Sequence, residues 1–307
     1  MIFENIEKFE KMSDKELLSC INSSSHDRVK IDIKKPRSAM MLNPLKLKHL
    51  NNIDNLEADI IVLNLEDGVA KELKQRALYL SAVFISHLKS SKSRVIVRVN
   101  PIDDGGEQEI EFLNSIKPDC IRVAKIKTKK DVEKVLEILS HDIGLNLSIE
   151  TKEALENLTK LNIQNRVQTV SLGIMDMLNS LGLSHSLLEF NNPTITYILT
   201  KFLIDAKIAN IYPIGFTYQD YLNIEDFIKW CEFEKSLGLS CKSCLGPKQV
   251  EIANQIFSHD NEEIKKAKYI KDRFEDMQDN YITGFMDATY GFIDEPIYKD
   301  AMLILKG

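Results

Sequence analysis

The chain is poor in the residues that punctuate or cross-link small folds. Its 307 residues include 12 glycines, 8 prolines, 5 cysteines, 6 histidines and a single tryptophan. No apolar run approaches the roughly 20 residues needed to span a bilayer, and the opening stretch MIFENIEKFEKMSDKE is too charged for a signal peptide. An odd number of cysteines in so long a chain argues against a disulfide framework and agrees with a reducing compartment, so a cytoplasmic protein is expected. The formal net charge of −6 gives no global electrostatic reason to expect nucleic acid or a membrane as partner, although it does not exclude a local basic pocket. No apolar run is followed by G-x-G-x-x-G or G-x-x-x-x-G-K-[ST], so the common phosphate-cradling loops are missing. The histidines are scattered and receive no catalytic role. Cys241 and Cys244 have C-x-x-C spacing, but they fall in the strand-like stretch SCKSCL, where residues three apart face opposite sides. No second pair or nearby histidine completes a zinc site.

What the sequence does contain is a repeated alternation beginning at Pro36. Apolar runs occur at 38–43, 60–66, 94–100, 120–126, 146–150, 169–174, 212–216 and 240–245. They are short, several are rich in Ile and Val, and they read as buried strands. Between them lie stretches such as KELKQRALYLSAVFISHL and EDFIKWCEFEKSLG, with apolar residues at the three- and four-residue spacing of helices. Strands alternating with helices imply a parallel sheet, and eight is the number that closes a barrel. The predicted fold is an α/β chain forming a (β/α)8 TIM barrel over residues 36–258. An N-terminal extension (1–35) precedes it, with an amphipathic helix around Asp14 to Ile21 and the loop signal NSSSHD. A C-terminal helical arm or lid (259–307) follows. A doubly wound open sheet is the competing fold, disfavoured by the missing phosphate loops.

In such barrels functional side chains sit at the C-terminal ends of strands. Reading those positions gives Glu66 and Asp67 after the second strand, Arg98 on the third, Lys125 on the fourth, Glu150 after the fifth and Asp176 after the sixth. Charges on otherwise apolar strands are costly to bury unless paired or liganded. Glu150 and Asp176, at the tips of adjacent strands, form a metal pair for a hard cation such as Mg²⁺. The alternative for each is a helix N-cap, although Thr151 would cap better than Glu150. Arg98 offers a planar fork to a carboxylate or enolate oxygen, or else forms a structural pair with Glu66 or Asp67. Lys125 is read either as a site residue or as a snorkelling side chain.

The segments LNLEDGVA (63–70), VIVRVNPID (95–103), AKIKT (124–128), LSIETKEALEN (147–157), SLGIMDMLNSLG (171–182) and CLGPKQVEIANQIF (244–257) resemble the citrate lyase β-subunit family of the HpcH/HpaI aldolase superfamily. The resemblance runs in order from about Pro36 to the C-terminus. It implies a metal-dependent barrel, commonly a homotrimer, with Mg²⁺ (Mn²⁺ as a substitute) on the acids matching Glu150 and Asp176. It also implies a substrate arginine matching Arg98, supported by Glu66 and Asp67. The implied reaction cleaves or forms a C–C bond between an acyl-CoA and a 2-oxo acid, as with citryl-, malyl- or citramalyl-CoA. In G-F-I-D-E-P (291–296) the resemblance nominates Asp294 as acid/base, the alternative being a turn residue ahead of Pro296. Arg37, with Lys34 and Lys35, either meets CoA phosphates or forms a solvated basic patch. Family-pattern residues are replaced at Asn64, Ala124, Lys127, Met175 and Leu245. Two alternative readings stay open: a CoA-independent aldolase acting on pyruvate and an aldehyde, and a non-catalytic paralogue that binds a metal and a small acid within an assembly.

Overall fold

A computed structural model describes residues 1–22, 31, 33, 35–279 and 281–305. The rest of the NSSSHD signal beyond Asn22 lies outside the described residues, as does Lys34. The chain divides into two compact units, Met1–Phe257 and Ser258–Gly307.

Eight parallel strands build the first unit: β1 Ser38–Leu42, β2 Ile60–Asn64, β3 Arg94–Val99, β4 Cys120–Val123, β5 Gly144–Ile149, β6 Val167–Leu172, β7 Tyr212–Ile214 and β8 Lys242–Cys244. They are hydrogen-bonded in the order β7-β6-β5-β4-β3-β2-β1-β8. Just past β7, Gly215 N–H donates to the Cys241 carbonyl (2.8 Å) and the Gly215 carbonyl accepts from Ser243 N–H (3.3 Å). A parallel bridge between Gly215 and Lys242 accompanies these bonds, so the sheet closes on itself. The (β/α)8 barrel expected from the eight apolar runs is the fold observed.

Each strand obeys the two-residue alternation of a pleated chain. On β2, Ile60 and Val62 join a small inner cluster with Ala39, Ile96, Cys120 and Ile214. Ile61 and Leu63, one step along, join the large cluster between sheet and helices. Cys241 belongs to the inner cluster and Cys244 to the outer one, so the C-x-x-C spacing does separate the two thiols onto opposite faces. All five cysteines are free. The strands are shorter than the apolar runs suggested. The fourth stops at Val123 because Lys125 takes a left-handed backbone (φ 52°), which turns the chain out of the sheet.

The N-terminal residues pack within this same unit. A Ser13/Glu16 capping box starts the helix Asp14–Ser19, where the periodicity predicted one. Phe3, Phe9 and Phe84 form an edge-on ring cluster, and the Arg76 guanidinium donates to the carbonyls of Phe9, Glu10 and Met12.

The second unit is more than helical. Its capped helix Asn261–Gln278 is followed by an antiparallel hairpin of β9 Gly284–Asp287 and β10 Gly291–Asp294, then by the helix Glu295–Leu305. Ala267, Ile270, Phe274, Phe285, Ile293 and Ala301 form its own core. Among the described residues no helix is long and apolar enough to cross a membrane.

One ion pair in the layer between sheet and helices departs from apolar packing. On β8, Lys242 alternates with Cys241 and Ser243 and therefore points outward, into the layer covered by helix Ile224–Leu237. Its ammonium and the Glu234 carboxylate of that helix are both fully buried and 2.6 Å apart, with the ammonium 3.5 Å from the Phe216 ring centre. Gly215 makes room for this pair, because a Cβ there would lie 2.1 Å from Glu234 Oε2. Leaving one member of a buried pair without its partner costs about 3–5 kcal/mol, whereas replacing both by apolar groups of similar volume is often neutral. Glu234→Leu should therefore lower stability in urea denaturation by about that amount, and adding Lys242→Met should restore most of it. A double variant no more stable than the single one would show that the pair is not the cause.

Candidate active site

Four strand ends bring the charged residues together. The backbone continues β2 through Leu65, whose N–H donates to the Arg98 carbonyl (2.9 Å), so Glu66 stays in register with β3. Glu66, Arg98 and Glu150 are all buried, at 2%, 7% and 4% exposure. Arg98 lies between the two acids: Nη1 is 3.1 Å from Glu66 Oε2 and Nη2 is 2.5 Å from Glu150 Oε1. Lys125 completes the Glu66 end, with Nζ 2.8 Å from Oε1. Asp67 pairs with Lys125 at 3.6 Å, and its N–H donates to Glu66 Oε2 at 2.6 Å. Of the two acids expected to hold Arg98, Glu66 makes the ion pair and Asp67 does not.

Glu150 follows β5 and points into the barrel because Asn146 and Ser148, its partners in alternation, also face inward. Gly173 lets it lie there: a Cβ at that position would come within 2.4 Å of Glu150 Cγ. Thr151, not Glu150, caps the next helix by accepting from Ala154 N–H (3.1 Å). Asp176 is likewise not an N-cap. It is the third residue of helix Ile174–Leu181, whose N-cap is Gly173. Both acids line one cavity of about 340 Å³ with Arg98, Arg122, Ser148 and Ser171. A second cavity of about 470 Å³ shares Met41, Asp67, Gly68 and Leu245 with the first, and carries Lys46, Lys48 and His49.

Burial and neighbouring charge pull these groups in different directions. Burial pushes the Glu66 carboxyl up, but the Arg98 charge and the hydrogen bonds from Asp67 and Lys125 outweigh it, leaving Glu66 below its ordinary value. Burial raises Asp67, and the adjacent Glu66 adds to the rise. Glu150 is raised, chiefly by burial; Arg98 opposes the rise, while Glu66 and Asp176 reinforce it. The hydrogen bond to Glu66 raises the Lys125 ammonium, so it stays charged.

Two predicted binding residues sit elsewhere. Arg37 precedes β1, at the opposite end of the strands from the cluster, and is locked to Asp59 through its own N–H (2.7 Å), Nε (3.0 Å) and Nη2 (3.0 Å). Its guanidinium is therefore held by Asp59 away from the acid cluster. Lys125 backs the cluster through Glu66 and faces a separate cleft with Asp103 and Lys127, instead of lining the main cavity. Asp294 ends β10 in the second unit, and its Oδ1 accepts from Ile297 N–H (3.3 Å), the turn contact that its place before Pro296 suggested.

The sequence reading passed over Arg122. It is 2% exposed, lies on β4 in register with Arg98, and lines the cavity. The available signal was a charge at an alternating position inside an apolar strand, three residues before Lys125. Burial and the nearby Arg98 push its guanidinium down to about 10, so it remains cationic at neutral pH. Of the replaced family-pattern positions, Met175 and Leu245 line the cavity, and the Asn64 amide donates to the Asp67 carbonyl.

Fold and site together define a barrel protein with an acid-and-guanidinium centre at the C-terminal ends of its strands. The chain belongs to the HpcH/HpaI aldolase/citrate lyase family, whose pattern matches residues 37–247. It is 27% identical over 232 residues to a (3S)-malyl-CoA thioesterase of Cereibacter sphaeroides, covering 75% of this chain and 80% of that one. It is 25% identical over 284 residues to citrate lyase subunit beta of Haemophilus influenzae, covering 88% and 96%. Among solved structures, protein CitE of Mycobacterium tuberculosis, in complex with magnesium, acetoacetate and coenzyme A, shares the fold with a TM-score of 0.63. The identity there is 16%, and the match covers 89% of this chain and 97% of that one.

The Arg98 bridge has a testable electrostatic consequence. Arg98→Met leaves two buried carboxylates without their cation and should cost about 3–5 kcal/mol near neutral pH. Without the guanidinium both folded-state pKa values rise above those of the unfolded chain. The folded state then takes up protons first as pH falls, so the deficit should shrink on acidification. Denaturation curves at about pH 7.5 and 5.5 measure it. A deficit that grows on acidification would contradict the assignment.

Proposed function

We propose that the chain is a divalent-metal-dependent carbon–carbon lyase. Its substrate would be a 3-hydroxyacyl-CoA of the citryl-, malyl- or citramalyl-CoA type, split into an acyl-CoA and a 2-oxo acid, or joined in reverse. The observation that carries this reading is Glu150 Oε2, a buried carboxylate oxygen without a hydrogen-bond partner on an acid that lines a cavity together with Asp176. Arg98 occupies Oε1 of the same carboxylate, which orients the side chain and leaves the other oxygen as the ligand atom. Among the described residues no cluster of three or more potential protein ligands occurs, but Mg²⁺ commonly takes only one or two carboxylates plus water and substrate oxygens. Glu150 and Asp176 fit that requirement, and a structure of the same fold, protein CitE, holds magnesium together with acetoacetate and coenzyme A.

Bound there, the cation would supply Lewis-acid stabilisation to the oxygen that becomes the 2-oxo group. The chain's own residues do the rest. Arg98 adds positive charge beside that oxygen and opposes the effect of burial on Glu150, while Glu66 and Lys125 fix the far side of the guanidinium. In the cleavage direction the hydroxyl loses its proton to solvent, its C–O becomes C=O, and the C–C electron pair passes to the carbon next to the thioester. That carbon then takes up a proton. Asp294 is the proposed donor, supplied from the C-terminal unit within a homotrimer. The second cavity, with Lys46, Lys48 and His49, suits the anionic carrier of the thioester. Five free thiols are compatible with a cytoplasmic setting.

The relative named as a (3S)-malyl-CoA thioesterase makes thioester hydrolysis the second reading. Product analysis separates the two: an oxo acid without free thiol marks the lyase, and free thiol without oxo acid marks the thioesterase.

Calorimetric titration of Mg²⁺ with oxaloacetate, pyruvate or glyoxylate should give metal-dependent binding that disappears in Asp176→Ala. Well-folded native protein that binds neither metal nor acid would remove the proposal. Because burial raises the Glu150 carboxyl above its ordinary 4.5, protons compete with the metal above the usual carboxylate range. Mg²⁺ affinity should accordingly weaken as pH is lowered, and an affinity that stays constant down to about pH 4.5 would rule out Glu150 as the ligand.

A further inference from the structure

Arg122 is a buried cation that the reaction outlined above does not use. Among the described residues it has no hydrogen bond and no salt bridge, and its Nε and Nη2 are buried without an acceptor. Glu150 favours its charge, but Arg98 opposes it more strongly. Arg98 adds a second positive charge across the Arg98–Arg122 register pair, and the Glu150 oxygen nearest to a guanidinium is already held by Arg98. On the following strands, Asn146 and Thr169 continue the same register and also have buried polar atoms without partners. A purely structural barrel interior would fill this level with branched apolar residues. Here the cavity wall near Arg122 instead carries the small hydroxyls Ser148, Ser171 and Ser243, which leave space and offer donors.

A buried guanidinium without hydrogen-bond acceptors is costly in the ligand-free protein, and a carboxylate is the group whose geometry its planar fork matches. We propose that Arg122 binds a second carboxylate of the ligand, so that the site selects a dicarboxylic 2-oxo acid, or a thioester carrying a further carboxylate, over a monocarboxylic one. This rests on the reading of the same cavity as the oxo-acid site. It adds which acid the cavity takes: Arg98 and the Glu150–Asp176 pair engage the reacting end, and Arg122 engages the distal carboxylate.

Oxaloacetate and pyruvate share the 2-oxo acid group and differ by the distal carboxylate, so the pair isolates the role of Arg122. With Mg²⁺, native protein should bind oxaloacetate at least about tenfold more tightly than pyruvate, the minimum expected of one charge-assisted hydrogen bond. Arg122→Met should weaken oxaloacetate about tenfold more than pyruvate, and Arg122→Lys should retain part of the preference. A second readout separates binding from scaffolding. Removing an unpaired buried cation should raise the melting temperature of ligand-free Arg122→Met, by about 2–4 °C, whereas removing a structural residue would lower it. If oxaloacetate binds with Mg²⁺ and Arg122→Met keeps the native preference, or loses both acids equally with a lower melting temperature, the Arg122 proposal fails and the lyase reading stands. If oxaloacetate stabilises the native protein without Mg²⁺ dependence, and that stabilisation is lost in Arg122→Met, the metal reading fails and the Arg122 proposal stands. Absence of oxaloacetate binding under both conditions overturns both.

Discussion

The mouth of the barrel depends on one guanidinium shared by two buried carboxylates. Glu66 and Glu150 come from strand ends three apart in the sheet, and in a low-dielectric interior each would be driven to protonate alone. Arg98, on the strand adjoining β2, takes one oxygen of each. The sharing has an asymmetric result: Glu66, with Lys125 and the Asp67 N–H also donating to it, ends below its ordinary pKa, while Glu150, with fewer donors and two acids nearby, ends above it. One acid becomes a fixed counter-ion and the other a carboxylate still in need of a cation. That difference comes chiefly from the deeper burial of Glu150, which fewer donors offset.

The scaffold around this centre is arranged to permit close approach. Gly173 sits where a side chain would collide with Glu150, and Gly215 where one would collide with Glu234. Both follow strands at the point where the chain leaves the sheet, so each glycine serves a carboxylate arriving from a neighbouring element. The two buried ion-pair systems nevertheless differ in kind. Lys242 and Glu234 balance each other in a sealed layer. The cluster at the mouth opens on a cavity and carries orphaned polar atoms, among them Glu150 Oε2 and the inner edge of Arg122. Orphaned polar atoms are not confined to the mouth, since Glu234 Oε2 also lacks a hydrogen-bond partner, but at the mouth they line an open cavity where a ligand can reach them.

Much of the architecture was legible in the chain itself, because barrel strands and their covering helices impose periods of two and 3.6 on apolar residues. Eight apolar runs, the helix after Ser13 and the opposite-face placement of Cys241 and Cys244 all follow from those periods. So does the gathering of Glu66, Arg98, Glu150 and Asp176, since parallel strands deliver their C-terminal ends to one rim. Segment-by-segment likeness to a known family added the chemistry that periodicity cannot supply.

Other features were decided only in three dimensions. Arg37 and Arg98 both lie close to strands in sequence, yet one precedes its strand and the other lies near the end of its own, so closure of the barrel puts them at opposite mouths. Asp67 and Glu66 are adjacent acids that share Lys125, but only Glu66 reaches Arg98. Lys242 looks like a stray charge in an apolar run until helix Ile224–Leu237 brings Glu234 over it. Arg122 reads as one more mid-strand residue until the ring of strands turns it inward beside Arg98. The sequence by itself determined which residues form strands and which face each takes, because those are local, periodic properties. Only the closed barrel decided which charges meet and which are left without a partner, because ion pairing depends on distances between strands far apart in the chain.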